Sequence, residues 1–140
     1  MLQWDEARYN LGVEVMDTAH HEFTDMVEGL LQSSDGDFPA LFQKLVDHTR
    51  QHFAEESRLM HLCKFPPIAI HEAEHTRVLE GLSQIEGDLL AGQLPLDRAR
   101  AFAESGLGEW FERHLATMDR ALATHLIRTG VLEVSAPAGV

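Results

Sequence analysis

The sequence predicts an all-α fold: an antiparallel up-down-up-down four-helix bundle with an N-terminal arm. Three observations carry this. Four stretches repeat apolar residues at the 3, 4, 7 spacing of a helix with one buried face. Proline and glycine punctuate them at short intervals, and short connections make neighbouring helices antiparallel. Histidines and acids also recur four apart within them, as in His52-Phe-Ala-Glu-Glu56 and His71-Glu-Ala-Glu-His75. On a helix that spacing puts both side chains on one face, one turn apart.

Residues 1 to about 16 lack a clear helical period. They read as an irregular arm anchored by Trp4 and Tyr9, with Asp17 as the N-cap of the first helix. That helix runs from about 18 to 33 on Phe23, Met26, Val27, Leu30 and Leu31, with His20 on the same face. The second starts near Phe38-Pro39, since proline is tolerated in a first turn, and reaches about Cys63. Its stripe is Leu41, Leu45, His48, His52, Glu56 and Leu59 or Met60. Phe65-Pro66-Pro67 stops it, because proline cannot continue the hydrogen-bond ladder. The third spans about 68 to 91 with Ile68, His71, His75, Val78, Leu82, Ile85 and Leu89 inward, and ends at Gly92. Pro95 opens the fourth, which runs through His114 toward His125 and carries Phe102, Leu107, Trp110, Phe111, His114, Leu115 and Met118. Gly106 and Gly108 interrupt it at about 1 kcal/mol each relative to alanine, which points to close helix contact or a gap beside a site.

With 140 residues and 44% hydrophobic content, the chain suits one globular domain, residues 1–130, with 1–16 as the arm and 131–140 as a disordered tail. The formal net charge is −12, from 23 acidic and 11 basic residues, a field that repels nucleic acid and anionic membranes. One cysteine, Cys63, allows no internal disulfide and fits a reducing compartment. With no signal peptide and no apolar run near the roughly 20 residues of a membrane span, a cytoplasmic monomer is expected.

The chemistry lies in seven residues: His20, His52, Glu56, His71, His75, His114 and Asp119. Five imidazoles and two carboxylates without a thiolate suit iron, manganese or zinc rather than a structural thiolate zinc site. Seven donors are too many for one metal. Two metals of octahedral preference need about twelve bonds. If both carboxylates bridge and an oxygen atom joins the metals, about eleven are filled. The position left open then belongs to the metal with two histidines and suits a small molecule such as O2. Two Fe(II) ions, two carboxylates and a hydroxide sum to about +1, small enough to bury. Asp119 breaks the pattern. It follows His114 by five residues, about 140° round an ideal helix, so the helix loosens between them or Asp119 reaches in from the flank.

Taken together, Trp4-Asp-Glu, Met16-Asp-Thr-Ala-His20, His52-Phe-Ala-Glu-Glu56 with Met60, His71-x3-His75 and Trp110-Phe-Glu-Arg-His114-x4-Asp119 resemble the hemerythrins in type, order and spacing over residues 4 to 119. The resemblance implies a hemerythrin-like bundle with an oxo- or hydroxo-bridged di-iron centre. His71, His75 and His114 would bind one iron and His20 and His52 the other, with Glu56 and Asp119 bridging. It implies reversible O2 binding at the two-histidine iron, with O2 as the partner and an oxygen-using enzyme as a further one. The rival functions are an enzyme acting on peroxide, nitric oxide or ferrous iron, an O2 or redox sensor, and a zinc-stapled structural bundle.

Among the remaining residues, His21, His61 and His125 read as surface, and Glu72 and Glu74 as solvated. Cys63 reads as a helix-end residue. Glu55 faces solvent or a donor histidine. His48, one turn before His52, is a candidate second layer or cavity wall. Trp110, one turn before His114, is core and a candidate wall of the O2 pocket.

Overall fold

The computed structural model describes residues 2–131, and all regular structure among them is helical. Four long rods make the bundle. The first three are α2 (Glu14–Gln32), α3 (Phe38–Leu62) and α4 (Ile68–Leu90). The fourth is built from α5 (Leu96–Ala101), α6 (Leu107–His114) and α7 (Arg120–Thr129), joined through π-helical turns at Phe102–Gly106 and Leu115–Asp119. Residues 33–37, 63–67 and 91–95 connect the rods, too few to cross the bundle, so each rod runs antiparallel to the one before.

The inner faces are apolar. Phe42, Leu45, Val46, Leu59 and Met60 of α3 are sealed from solvent, in one core with Phe23, Val27 and Leu30 of α2 and Leu107, Leu115, Leu122 and Leu126 of the fourth rod. Each such side chain contributes about 1.5–3 kcal/mol on burial, enough in aggregate to offset a cluster of buried polar groups. No helix among the described residues is long and apolar enough to cross a membrane.

The rod boundaries differ from expectation at the N-terminus. The arm contains a one-turn helix, α1 (Glu6–Tyr9), capped by Asp5, whose carboxylate accepts from Ala7 and Arg8 N–H. α2 begins at Glu14, not near 18, and Val13 is at its N-cap. Asp17 is therefore not a cap. Its carboxylate turns back to accept from Leu11 N–H at 2.7 Å and Gly12 N–H at 3.1 Å, fastening the arm. Gly12 has φ +85°, a conformation only glycine adopts freely, and this makes the turn possible. Tyr9 is buried, packed edge-on to Phe111, and Trp4 stacks on His21, so both anchors hold. The fourth rod extends past His125 to Thr129. Val131 packs against the core, and the expected disordered tail lies, from residue 132 on, outside the described residues.

Candidate metal centre

All seven expected donors meet inside the bundle, in the half where α3 ends and α4 begins. His20 comes from α2, His52 and Glu56 from α3, His71 and His75 from α4, His114 from the end of α6, and Asp119 from the following π-turn. All except His52 are at most 5% exposed, and the His52 side chain is 8% exposed.

Their arrangement is two-sided. Glu56 Oε2 lies 2.6 Å from His52 Nε2 and 3.4 Å from His20 Nε2. Its other oxygen, Oε1, lies 3.2 Å from His71 Nε2 and 3.3 Å from His75 Nε2. Asp119 repeats the pattern: Oδ2 is 3.1 Å from His20 Nε2, whereas Oδ1 is 3.3 Å from His71 and 3.2 Å from His114. Each carboxylate thus presents one oxygen to His20 or His52 and the other to the set of His71, His75 and His114. The donor atoms form two groups able to hold a metal ion, His20–His52–Glu56 and Glu56–His71–His75–His114–Asp119.

The five-residue spacing of Asp119 has a local cause. His114 ends a regular α-helical segment, and Leu115–Asp119 is π-helical. Bonds from i to i+5 widen the turn, so residues five apart share a face and Asp119 returns to the side of His114. The helix loosens. Asp119 does not reach in from a flank. The upstream π-turn ends at Gly106, where a Cβ would stand 3.1 Å from the Phe102 ring. Gly106 therefore makes room for that ring within its own turn. Gly108 has only ordinary contact with Leu2.

Protein contacts alone satisfy this cluster poorly. Both ring nitrogens of His20, Nδ1 of His71 and His114, and Oδ1 of Asp119 are buried without a well-formed hydrogen bond. The Nε2 atoms of His75 and His114 face each other at 3.2 Å, where only one can carry the intervening proton. Buried polar groups are ordinarily paired. Nitrogen lone pairs converging on carboxylate oxygens are instead the donor set of a metal site, and the residues fit one.

Without metal, protons take up the charge. Burial opposes a charge on His20, but Asp119 and Glu56 together outweigh it and push its pKa up to about 10. His71, which also touches both carboxylates, rises against burial to about 9. Of the two carboxylates His75 touches only Glu56, and there burial wins and lowers the pKa. Glu56 and Asp119 stay ionised despite full burial, since the surrounding imidazoles hold both below the usual carboxylate range.

A cavity of about 10 Å³ adjoins His20, His52, His114 and Asp119, walled by Phe23, Phe53, Trp110, Phe111 and Thr49. That is near the smallest volume able to admit one water-sized molecule. Trp110 is thus both core and a wall of this cavity. Thr49 is the wall's one hydroxyl, and it donates to Leu45 O at 2.8 Å. Thr49 stands three residues before His52, a spacing that puts both on one face of α3.

Other residues settle differently. His48 does not line the cavity, and its Nε2 stands 3.4 Å from Ala19 O. Glu55 pairs with Arg58 and not with a donor histidine. His21 and His61 are exposed as expected. His125 is not plain surface, since it is half-buried and its Nε2 lies 2.9 Å from Cys63 O. Glu72 and Glu74 are not simply solvated: Glu72 accepts from Ser57, and Glu74 accepts from Trp110 Nε1 at 2.8 Å. Nothing in the helical periodicity pairs residues 74 and 110.

The family model described as "Hemerythrin HHE cation binding domain" matches residues 11–126. The chain is 34% identical over 130 residues to a bacteriohemerythrin of Ralstonia nicotianae, covering 93% of this chain and 92% of that protein. It is 27% identical over 120 residues to a myohemerythrin of Sipunculus nudus, covering 83% and 86%. The fold superposes on a crystal structure of wild-type hemerythrin with a TM-score of 0.80 at 21% identity, over 90% of this chain and 98% of the other. Four antiparallel rods, a buried histidine–carboxylate cluster and a match across most of the sequence together place this chain in the hemerythrin family.

Proposed function

We propose that this chain binds O2 reversibly at a pair of iron ions, as a carrier, store or donor to an oxygen-using enzyme. His71, His75 and His114 would hold one iron and His20 and His52 the other, with Glu56 and Asp119 as the carboxylates shared between them. The observation that carries the reading is the splitting of both buried carboxylates, one oxygen toward each histidine set. The donor chemistry suits iron, the cation-binding description of the family agrees with it, and the resemblance selects iron over manganese or zinc. When bound, a ferrous pair supplies the electrons that make O2 uptake a reversible redox event.

The chain's own residues do the rest. Phe23, Phe53, Trp110 and Phe111 keep bulk water from the two-histidine side, which protects a reactive centre from hydrolysis and proton leakage. Phe53 lies flat on His75, with ring centroids 3.7 Å apart and planes 3° apart, and so fixes that imidazole. Glu56 and Asp119 lower the net charge of the buried cluster and orient the imidazoles by contact on both sides.

The test is optical. Anaerobically reduced, iron-loaded protein is colourless, gains charge-transfer bands on exposure to O2 and loses them under vacuum over repeated cycles. Irreversible oxidation with turnover of peroxide would replace this reading with an enzymatic one.

A further inference from the structure

Among the described residues, the rear Nδ1 atoms of His20, His71 and His114 all lack a hydrogen-bond partner, and of these three imidazoles His114 is the one with an indole flat against it. A metal-bound histidine is ordinarily oriented by a hydrogen bond from its rear nitrogen to a carboxylate or carbonyl. Nδ1 of His114 is buried and has no hydrogen-bond partner among the described residues. The indole of Trp110 instead lies flat against the ring, at a centroid distance of 4.7 Å and an interplanar angle of 17°. Trp110 is 8% exposed and has one polar handle, Nε1, which donates to Glu74 Oε2 at 2.8 Å. Arg77, one turn on, donates to both oxygens of Glu74, Nε to Oε1 at 2.8 Å and Nη2 to Oε2 at 2.8 Å, so the acceptor is itself fixed. Glu74 immediately precedes His75 on α4, and Nε2 of His75 faces Nε2 of His114 at 3.2 Å.

We infer that Glu74 is a positioning residue. By holding Trp110 Nε1 it sets the plane of the indole, and the indole sets the plane of the His114 ring. An aromatic face anchored at its edge replaces the missing rear hydrogen bond. One turn of α4 thereby presents His75 directly and governs the pitch of His114 across the bundle. The inference rests on the reading of His114 as a metal donor, but the orientation itself exists without metal.

Two measurements test it. In metal-free protein, the ring protons of His114 carry the upfield NMR shift of a stacked indole. Glu74→Leu removes the acceptor and should collapse that shift, while Glu74→Gln keeps an acceptor and should restore it. An unmoved His114 shift in Glu74→Leu overturns the inference, even where the thermal midpoint falls, because a merely stabilising residue would do that. The second measurement is release of Fe(II) or Co(II) to an anaerobic chelator. Glu74→Leu and Trp110→Phe should each speed release about tenfold, the scale of losing an outer partner of a metal ligand. The double variant should be no faster than the faster single, since both break one linkage, and additive acceleration overturns the inference. Should Glu74→Leu fail to fold, Trp110→Phe, which keeps a ring in the slot, carries the release test. Should wild-type protein take up no metal, the metal-site reading falls, and the His114 shift alone decides the role of Glu74.

Discussion

In α3 and α4 the donors sit four residues apart, His52 with Glu56 and His71 with His75, and each helix stays regular through its pair. In the fourth rod, His114 and Asp119 sit five apart, and the helix changes type between them. Both regions deliver side chains to the same cluster, with comparable contacts: His71 to Glu56 at 3.2 Å and His114 to Asp119 at 3.2 Å. The difference teaches that spacing has meaning only relative to local helix type. A regular helix selects i+4, and a π-turn selects i+5.

The largest expected effect tests whether the two regions are joined through one group. Glu56 touches donors of both histidine sets, so Glu56→Ala should abolish pairwise loading and leave iron content near zero by elemental analysis. A variant that still holds a full pair would show that Asp119 alone joins the two sides.

The next change attacks the comparison at its weakest point. Exchanging two residues, Met118→Asp with Asp119→Met, moves the carboxylate to the spacing favoured in α3 and α4. On the π-turn Asp119 is buried and Met118 only half-buried, so metal affinity should fall by at least the roughly tenfold that loss of an outer partner costs. Undiminished affinity would mean that the π-turn is not what places the carboxylate.

Protons give a smaller, graded test. His20 and His71 each touch both carboxylates, and their pKa values stand at about 10 and about 9. Both lie above the ordinary histidine value of about 6.5. The stability these charges lend to metal-free protein is therefore complete below about pH 6.5 and is lost as pH rises through 9 and 10. Metal must displace those protons, so uptake at pH 7 should release acid into a weakly buffered solution, and affinity should climb with pH into that range. Asp119→Asn should lower both pKa values and shrink the release. Uptake without acid release at pH 7 would mean neutral imidazoles.

The smallest effect is expected at His48. Its ring stands 6.3 Å from that of His52, and its contact with Ala19 O is long at 3.4 Å. His48→Ala should leave iron content unchanged and cost about 1 kcal/mol at most in thermal unfolding. An empty site in this variant would require a new list of donors.

The fold and most of the buried histidine–carboxylate cluster were legible because both are periodic. Apolar stripes mark buried faces, and Pro39, Pro66, Pro67, Gly92 and Pro95 mark helix ends. Where a residue's partner lies outside its own helix turn, the sequence was mute. Asp17 has the chemistry of a cap, but its carboxylate serves the arm behind it. Trp110 and Glu74 meet across two rods, and no local pattern joins them. His125 looked like surface until the end of α3 came beside it. Asp119 marks the boundary between these cases, since its identity came from resemblance while the reason for its spacing needed the backbone.

The convergence of seven donors on two metal ions is tested most directly by counting iron. Purified chain, reduced and loaded with Fe(II) without oxygen and then freed of excess, should carry about two irons per chain, as two bridged octahedral sites require. A ratio of one, or stable occupancy by zinc against excess ferrous iron, would contradict the account.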